Sequence, residues 1–257
     1  MHSTAAPDHP SALPVAASAA GTASGAIPAK GQLKAALWDM DGTLVDTEPY
    51  WIQAEKDLVK AHGGTWTDEH AMTLVGQALG TSAGILQEAG VDLSVREIID
   101  FLSGQVMDRV RQDVPWRPGA RELLHDLWQN DVRCALVTMS EGPMAREIVD
   151  ALDHPYFEFL ITGDMVANGK PHPEPYLAAV ERLQATDPDL GISNCVALED
   201  SVPGVASAMA SGVATIAIPH AVPMAPAAGR ATWTTLAGRG ALDLRLVVAQ
   251  HADGGLA

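Results

Sequence analysis

From Gln32 onward, short apolar runs alternate with stretches whose apolar residues recur at helical spacing. The first run, Ala35-Ala36-Leu37-Trp38, contains no turn residue and reads as a buried strand of a parallel sheet. Four more runs follow, at residues 133–138, 157–162, 194–198 and 213–218. Five strands separated by helices predict an α/β fold: a doubly wound, Rossmann-like parallel sheet that binds ligands outside the carboxyl ends of its strands. Polar residues gather at those ends: Asp39 and Asp41 after the first run, Thr138 and Ser140 after the second, Thr162 and Asp164 after the third, Glu199-Asp200-Ser201 after the fourth. A single strand-to-loop junction is polar for solvation alone. Agreement among four of them points to one crevice.

The alternation breaks between residues 48 and 114, where far more chain intervenes than one crossover needs. Thr47 with Pro49 marks a helix start, and Trp51, Ile52, Leu58 and Val59 form its apolar stripe before Gly63-Gly64 stops it. Further helical patterns lie near 68–75, 81–89 and 94–113, and Pro115, Pro118 and Gly119 mark the return to the sheet. The expected organisation is an α/β core at 32–47 and 115–250, with a helical cap at 48–114 inserted over the crevice. Residues 1–31 are mostly Ala, Ser, Pro, Gly and Thr; prolines and glycines interrupt any apolar core of a secretory signal, so a disordered tail is expected.

Composition narrows the partners. Of the 257 residues, 32 are acidic and 16 basic, a net charge of -16 that repels a phosphate backbone, so no nucleic-acid partner is expected. No run is long enough to predict a membrane span. The two cysteines, Cys134 and Cys195, lie inside apolar runs, which favours reduced buried thiols and a cytoplasmic protein.

Two carboxylates two residues apart at a strand exit suit phosphoryl transfer: one aspartate attacks, and the second protonates the leaving group. Bringing anions together also requires a divalent cation and a lysine. Asp200 is placed to share magnesium with Asp39, and Glu199 to orient a metal-bound water from behind. Lys170 lies in the proline-restricted "GKPHPEPY", and Thr138 offers a hydroxyl to a phosphoryl oxygen. Asp46 and Glu48 have a simpler reading, as acids at a helix start, and His172 reads as a loop residue with no second histidine at metal-ligand spacing.

"DMDGTLVDTE", "LVTMS", "GKPHPEPY" and "LEDSVPGVASAMASG" resemble, in order, the four motifs of the haloacid dehalogenase superfamily, from Leu33 to about Pro219. The resemblance implies Asp39 as nucleophile, Asp41 as general acid and base, Thr138 and Lys170 as phosphoryl stabilisers, and Asp39, the Asp41 carbonyl and Asp200 as magnesium ligands. Gly42, directly behind the two aspartates, permits the tight backbone there. Gly42, Thr47, Ser140, Gly76 and Gln77 are expected to meet substrate, although Ser140 reads equally well as a cap for the next helix. The insertion resembles the cap of the β-phosphoglucomutase-like and phosphoglycolate-phosphatase-like branch.

Within that superfamily, Asp41 and a complete magnesium site point to phosphate esters instead of carbon–halogen bonds. The mutase branch carries a lysine just before, and an arginine three after, the glycine of a cap loop. Here "LVGQALGTS" puts Val75 and Leu79 at those places, Trp51 falls where a mutase-like histidine would stand, and no Lys or Arg occurs between Lys60 and Arg96. A magnesium-dependent phosphatase acting on a small phosphomonoester is therefore expected. The alternatives are a phosphosugar mutase with a cation from Arg109 or Arg111, and a non-catalytic binding protein on the same fold.

Overall fold

The computed structural model describes residues 31–256. Apart from Gly31, the stretch expected to form a tail lies outside the described residues. Six parallel strands form one sheet: β1 (Ala35–Trp38), β2 (Arg133–Val137), β3 (Phe157–Ile161), β4 (Cys195–Glu199), β5 (Ala214–Ala217) and β6 (Ala231–Thr232), in the order β3-β2-β1-β4-β5-β6. The sixth was not expected, because two residues at a sheet edge carry no readable period. The winding direction reverses between β1 and β4, so the crevice opens above that junction. Asp39 leaves β1, Asp200 leaves β4 beside it, and Thr138 leaves β2 on the other flank.

Alternate strand residues feed two apolar layers. Trp38, Leu136, Leu198 and Ile216 face one side; Leu37, Ala135, Val137 and Ala197 face the other. The second layer is closed by α7 (Glu174–Gln184) and α8 (Val202–Ser211) through Tyr176, Leu183 and Ala208. The first is closed by α5 (Ala120–Gln129), α6 (Gly142–Asp150) and α9 (Ala241–Ala252). That layer continues without a break into the inserted helices α1 (Glu48–Ala61), α3 (Leu79–Glu88) and α4 (Val95–Val110), through Leu58, Leu86, Ile98 and Leu102.

Helix α2 is only Asp68–Met72, not the longer 68–75 pattern, because the chain turns at Thr73–Gly76 and Gly76 adopts a left-handed φ of 74°. Helix α3 starts at Leu79, two residues earlier than its pattern suggested, so the second half of "LVGQALGTS" is helical. The two connections to the sheet run side by side: Asp46 N–H donates to the Pro115 carbonyl at 2.7 Å, and Arg117 N–H to that of Leu44 at 3.0 Å. The Asp46 carboxylate, two residues before α1, lies 2.8 Å from His220 Nε2, a tertiary partner. Both cysteines are buried and unpaired with each other. No helix among the described residues is long and apolar enough to cross a membrane.

Candidate active site

The loop after β1 turns tightly: the Leu44 and Val45 N–H groups donate back to the Met40 carbonyl, that of Gly42 donates to the Val45 carbonyl, and Gly42 has a φ of 88°. A Cβ at Gly42 would lie 2.1 Å from Asp200 Oδ2, so glycine is needed for close approach as well as for φ. This brings Asp39, Glu199 and Asp200 together, each offering a carboxylate oxygen within 4.8 Å of the others.

Lys170 reaches between them. Its Nζ donates to Asp39 Oδ1 at 2.5 Å and to the Val137 carbonyl at 2.9 Å, and lies 2.6 Å from Glu199 Oε1. Burial works against its charge, but Asp39 and Glu199 outweigh that effect and hold its pKa above the usual lysine value. The loop carrying it is tied to α8 by Ser207 Oγ donating to the His172 carbonyl at 2.6 Å, and its Lys170–Pro171 bond is cis. His172 itself is exposed and lies outside the cavity, as a loop residue should.

Asp39 is pushed up to about 7 by burial and by Glu199, despite its lysine partner. Asp200 is raised well above the carboxylate range by burial, then by Asp39 and Glu199. Its Oδ1 accepts from Thr43 Oγ1 at 3.2 Å, while its buried Oδ2 has no partner. Three buried acids with one lysine, and one oxygen wholly unsatisfied, form a hard-oxygen donor set that a magnesium ion would complete.

Glu199, expected to orient a metal-bound water, is held from three sides by protein groups. Tyr176 Oη donates to its Oε1 at 2.7 Å, Lys170 contacts the same oxygen, and Ser201 Oγ donates to Oε2 at 3.3 Å. Gly204 in α8 makes room for it, since a Cβ there would come within 2.0 Å of Oε2. Its contacts hold the lysine.

Asp41 is the convergence point of core and insertion. Thr47 Oγ1 and Trp51 Nε1 donate to Oδ1 at 2.5 and 3.2 Å, and Ser140 Oγ and Thr138 Oγ1 donate to Oδ2 at 2.7 and 3.4 Å. Thr138 Oγ1 also accepts from the Ser140 N–H at 3.0 Å, which fixes the β2 exit. Ser140 therefore holds Asp41; it does not cap α6, whose preceding residue is Glu141.

The cavity above these residues is lined by Asp39, Asp41, Thr138, Ser140 and Lys170 from the core and by Glu48, Trp51, Glu55, Val75, Gly76, Gln77, Leu79 and Ser82 from the insertion, among others. Of the expected substrate residues, Ser140, Gly76 and Gln77 line it, and Gly42 and Thr47 do not. Gly42 is packed behind Asp200, and Thr47 is fully buried with its hydroxyl on Asp41. Gly76 also seats the insertion on the core, because a Cβ there would strike Ser201 Oγ at 2.4 Å. Arg109 lies over the Tyr50 ring and Arg111 pairs with Glu147 at 3.0 Å, so neither arginine lines the cavity as a mutase would require.

Glu48 and Glu55 are the lining residues that sequence reasoning passed over. Their signal was present: Glu48, Trp51, Glu55 and Leu58 sit at i, i+3, i+7 and i+10, the buried stripe of α1. Glu48 was read as a helix-start acid and Glu55 was not singled out, because acids on a helix are usually solvated.

The chain matches the family described as haloacid dehalogenase-like hydrolase over residues 36–218. It belongs to that family. A phosphorylated carbohydrates phosphatase of Thermotoga maritima is 30% identical over 189 residues, covering 72% of this chain and 84% of that protein. Hexitol phosphatase B of Escherichia coli is 28% identical over 199 residues, covering 73% and 84%. Among solved structures, CbbY from Rhodobacter sphaeroides in complex with phosphate superimposes with a TM-score of 0.73 at 26% identity, covering 83% of this chain and 99% of that one. The six-stranded parallel sheet flanked by helices is the fold of this haloacid dehalogenase-like hydrolase.

Proposed function

We propose that this hydrolase is a magnesium-dependent phosphatase acting on a small phosphomonoester, a sugar or polyol phosphate, through an aspartyl-phosphate on Asp39. The observation that carries the reading is the meeting of Asp39 and Lys170 at 2.5 Å beneath a cavity that also presents Asp41. The Asp39 carboxylate attacks phosphorus, the ester P–O bond breaks, and Asp41 gives its proton to the departing alkoxide. Asp41 then takes a proton from water as that water attacks the phosphorus, which restores the Asp39 carboxylate and releases inorganic phosphate. Thr138 and Lys170 offer donors to the phosphoryl oxygens. Magnesium, held by Asp39, Asp200 and the Asp41 carbonyl, supplies charge neutralisation for the anionic group when bound.

The inserted helices act as a cap that must open for substrate and close to exclude bulk water, hinged where Asp46 meets Pro115. The named relatives, a phosphorylated carbohydrates phosphatase and a hexitol phosphatase, support the sugar or polyol class. A mutase is not favoured: among the described residues Lys170 is the one cation lining the cavity, and two carboxylates already hold it. Buried free thiols suit a reducing, cytoplasmic setting.

The test is a screen of phosphorylated sugars and polyols for phosphate release in magnesium and in chelator. Release that continues at full rate in chelator, or transfer between sugar positions without net phosphate release, would refute the reading.

A further inference from the structure

Two carboxylates on one face of α1 look into the cavity without the partners that the core acids possess. Glu48 is 8% exposed, and among the described residues nothing donates to its carboxylate. Glu55 is 5% exposed; Trp66 Nε1 donates to its Oε2 at 3.0 Å, and Oε1 has no donor. Both residues line the cavity, so their free oxygens are open to hydrogen bonds from a ligand held there. Among the described residues, Lys170 is the one cation lining the cavity, and Asp39 and Glu199 already hold it.

Resting on the phosphatase reading, we infer that Glu55, with Glu48 nearer the phosphoryl site, accepts hydrogen bonds from hydroxyls of the leaving group and so selects polyol or open-chain sugar phosphates by length. Seven residues at about 1.5 Å each place the two carboxylates about 10 Å apart along the helix axis. An extended hexitol spans most of that distance, and glycerol does not approach it.

Hydroxyls fit better than an ammonium group for a second reason. Burial, and then Asp41, push Glu48 up to about 8; burial, partly offset by the Trp66 hydrogen bond, pushes Glu55 up to about 7. Near neutral pH each is a mixture of acceptor and donor, and a hydroxyl matches either form, whereas an ammonium group can only donate.

The experiment compares kcat/KM for glycerol phosphate, erythritol phosphate and hexitol phosphates in the wild type and in Glu55→Met, which is close in size and has no group to bond a hydroxyl. Glu55→Met, which removes both acceptor and donor, is expected to lower kcat/KM for hexitol phosphate about 10- to 100-fold, mainly through KM, and to change glycerol phosphate by less than about twofold. Trp66→Phe, which releases Glu55 from its anchor, should lower the hexitol-to-glycerol ratio in the same direction. An unchanged ratio in both variants, or an equal loss on every substrate together with a lower Tm, would overturn the inference and leave the phosphatase reading standing. A wild-type preference for an amino-hexitol phosphate over the hexitol phosphate by more than about tenfold would also overturn it, in favour of a cationic ligand. Phosphate release from an aryl phosphate but from no polyol phosphate would instead refute the polyol class itself.

Discussion

On the floor of the cavity, Asp39, Lys170 and Glu199 are buried and bound to one another; on the roof, Glu48 is nearly as buried, and among the described residues no group donates to its carboxylate. The floor residues come from the exits of neighbouring strands and from a proline-lined loop, so their positions follow from the rigid sheet. The roof residues ride on a helix joined to that sheet by two linkers. The contrast separates two tasks. Phosphoryl chemistry needs preorganised charges that do not move, and substrate choice needs unfilled hydrogen-bonding capacity that the right ligand completes. Asp41 is where the two meet, since it takes two donors from each side.

The comparison breaks most sharply at the floor. Asp39→Asn keeps the size of the side chain and removes the nucleophile, so kcat should fall by about 1,000-fold or more with the fold retained, as read by phosphate release and circular dichroism. Turnover near the wild-type rate would remove Asp39 from the chemistry.

A roof substitution should redirect the enzyme without stopping it. Leu79→Arg places a cation in the lining at the first turn of α3. The kcat/KM ratio of a bisphosphate to its monophosphate should rise about tenfold, in line with a charge-assisted hydrogen bond of roughly 1.5–3 kcal/mol that is partly solvated. If the ratio is unchanged, Leu79 does not face the distal part of the substrate.

Trp51→Phe tests the meeting point. The ring is kept and one of four donors to Asp41 is lost, so kcat should drop about 3- to 10-fold with KM within about twofold. A change confined to KM would make Trp51 a substrate contact in place of a positioning residue.

The smallest effect is on stability. Asp39, Glu48 and Glu55 have folded-state values of about 7, 8 and 7, all above their unfolded values near 4. Between these limits the folded chain holds more protons than the unfolded one, so in chelator stability is greatest near the lower limit and falls as pH rises to about 8. Tm should decline by on the order of 5 °C across that window. Glu48→Gln should flatten the decline, and a slope identical to wild type would mean that Glu48 ionises freely.

The floor was legible because its residues sit at strand exits, where a two-residue spacing and a parallel sheet leave little freedom in where a side chain points. Asp39, Asp41 and Asp200 were placed by their strand exits and Lys170 by its proline-rich loop, and the structure gathers the four from motifs up to more than a hundred residues apart. The sixth strand was too short to show a period, and α2 ended early because Gly76 takes a left-handed turn that pattern matching does not see. Glu199 was placed at the site, but its partners were not: Tyr176 lies on another helix, and only packing brings its hydroxyl to Oε1.

The sequence by itself determined the parallel α/β order, the inserted helices and the chemical groups available to a phosphoryl centre, because periodicity and strand-end position are local properties. Tertiary structure alone decided that Ser140 and Trp51 hold Asp41, that Thr47 is sealed away from the cavity, and that Glu48 and Glu55 face inward. An acid on a helix is ordinarily solvated, and whether it is buried depends on what the opposite wall presents. Here that wall is built by strands and loops far away in the chain, a relation no local pattern encodes.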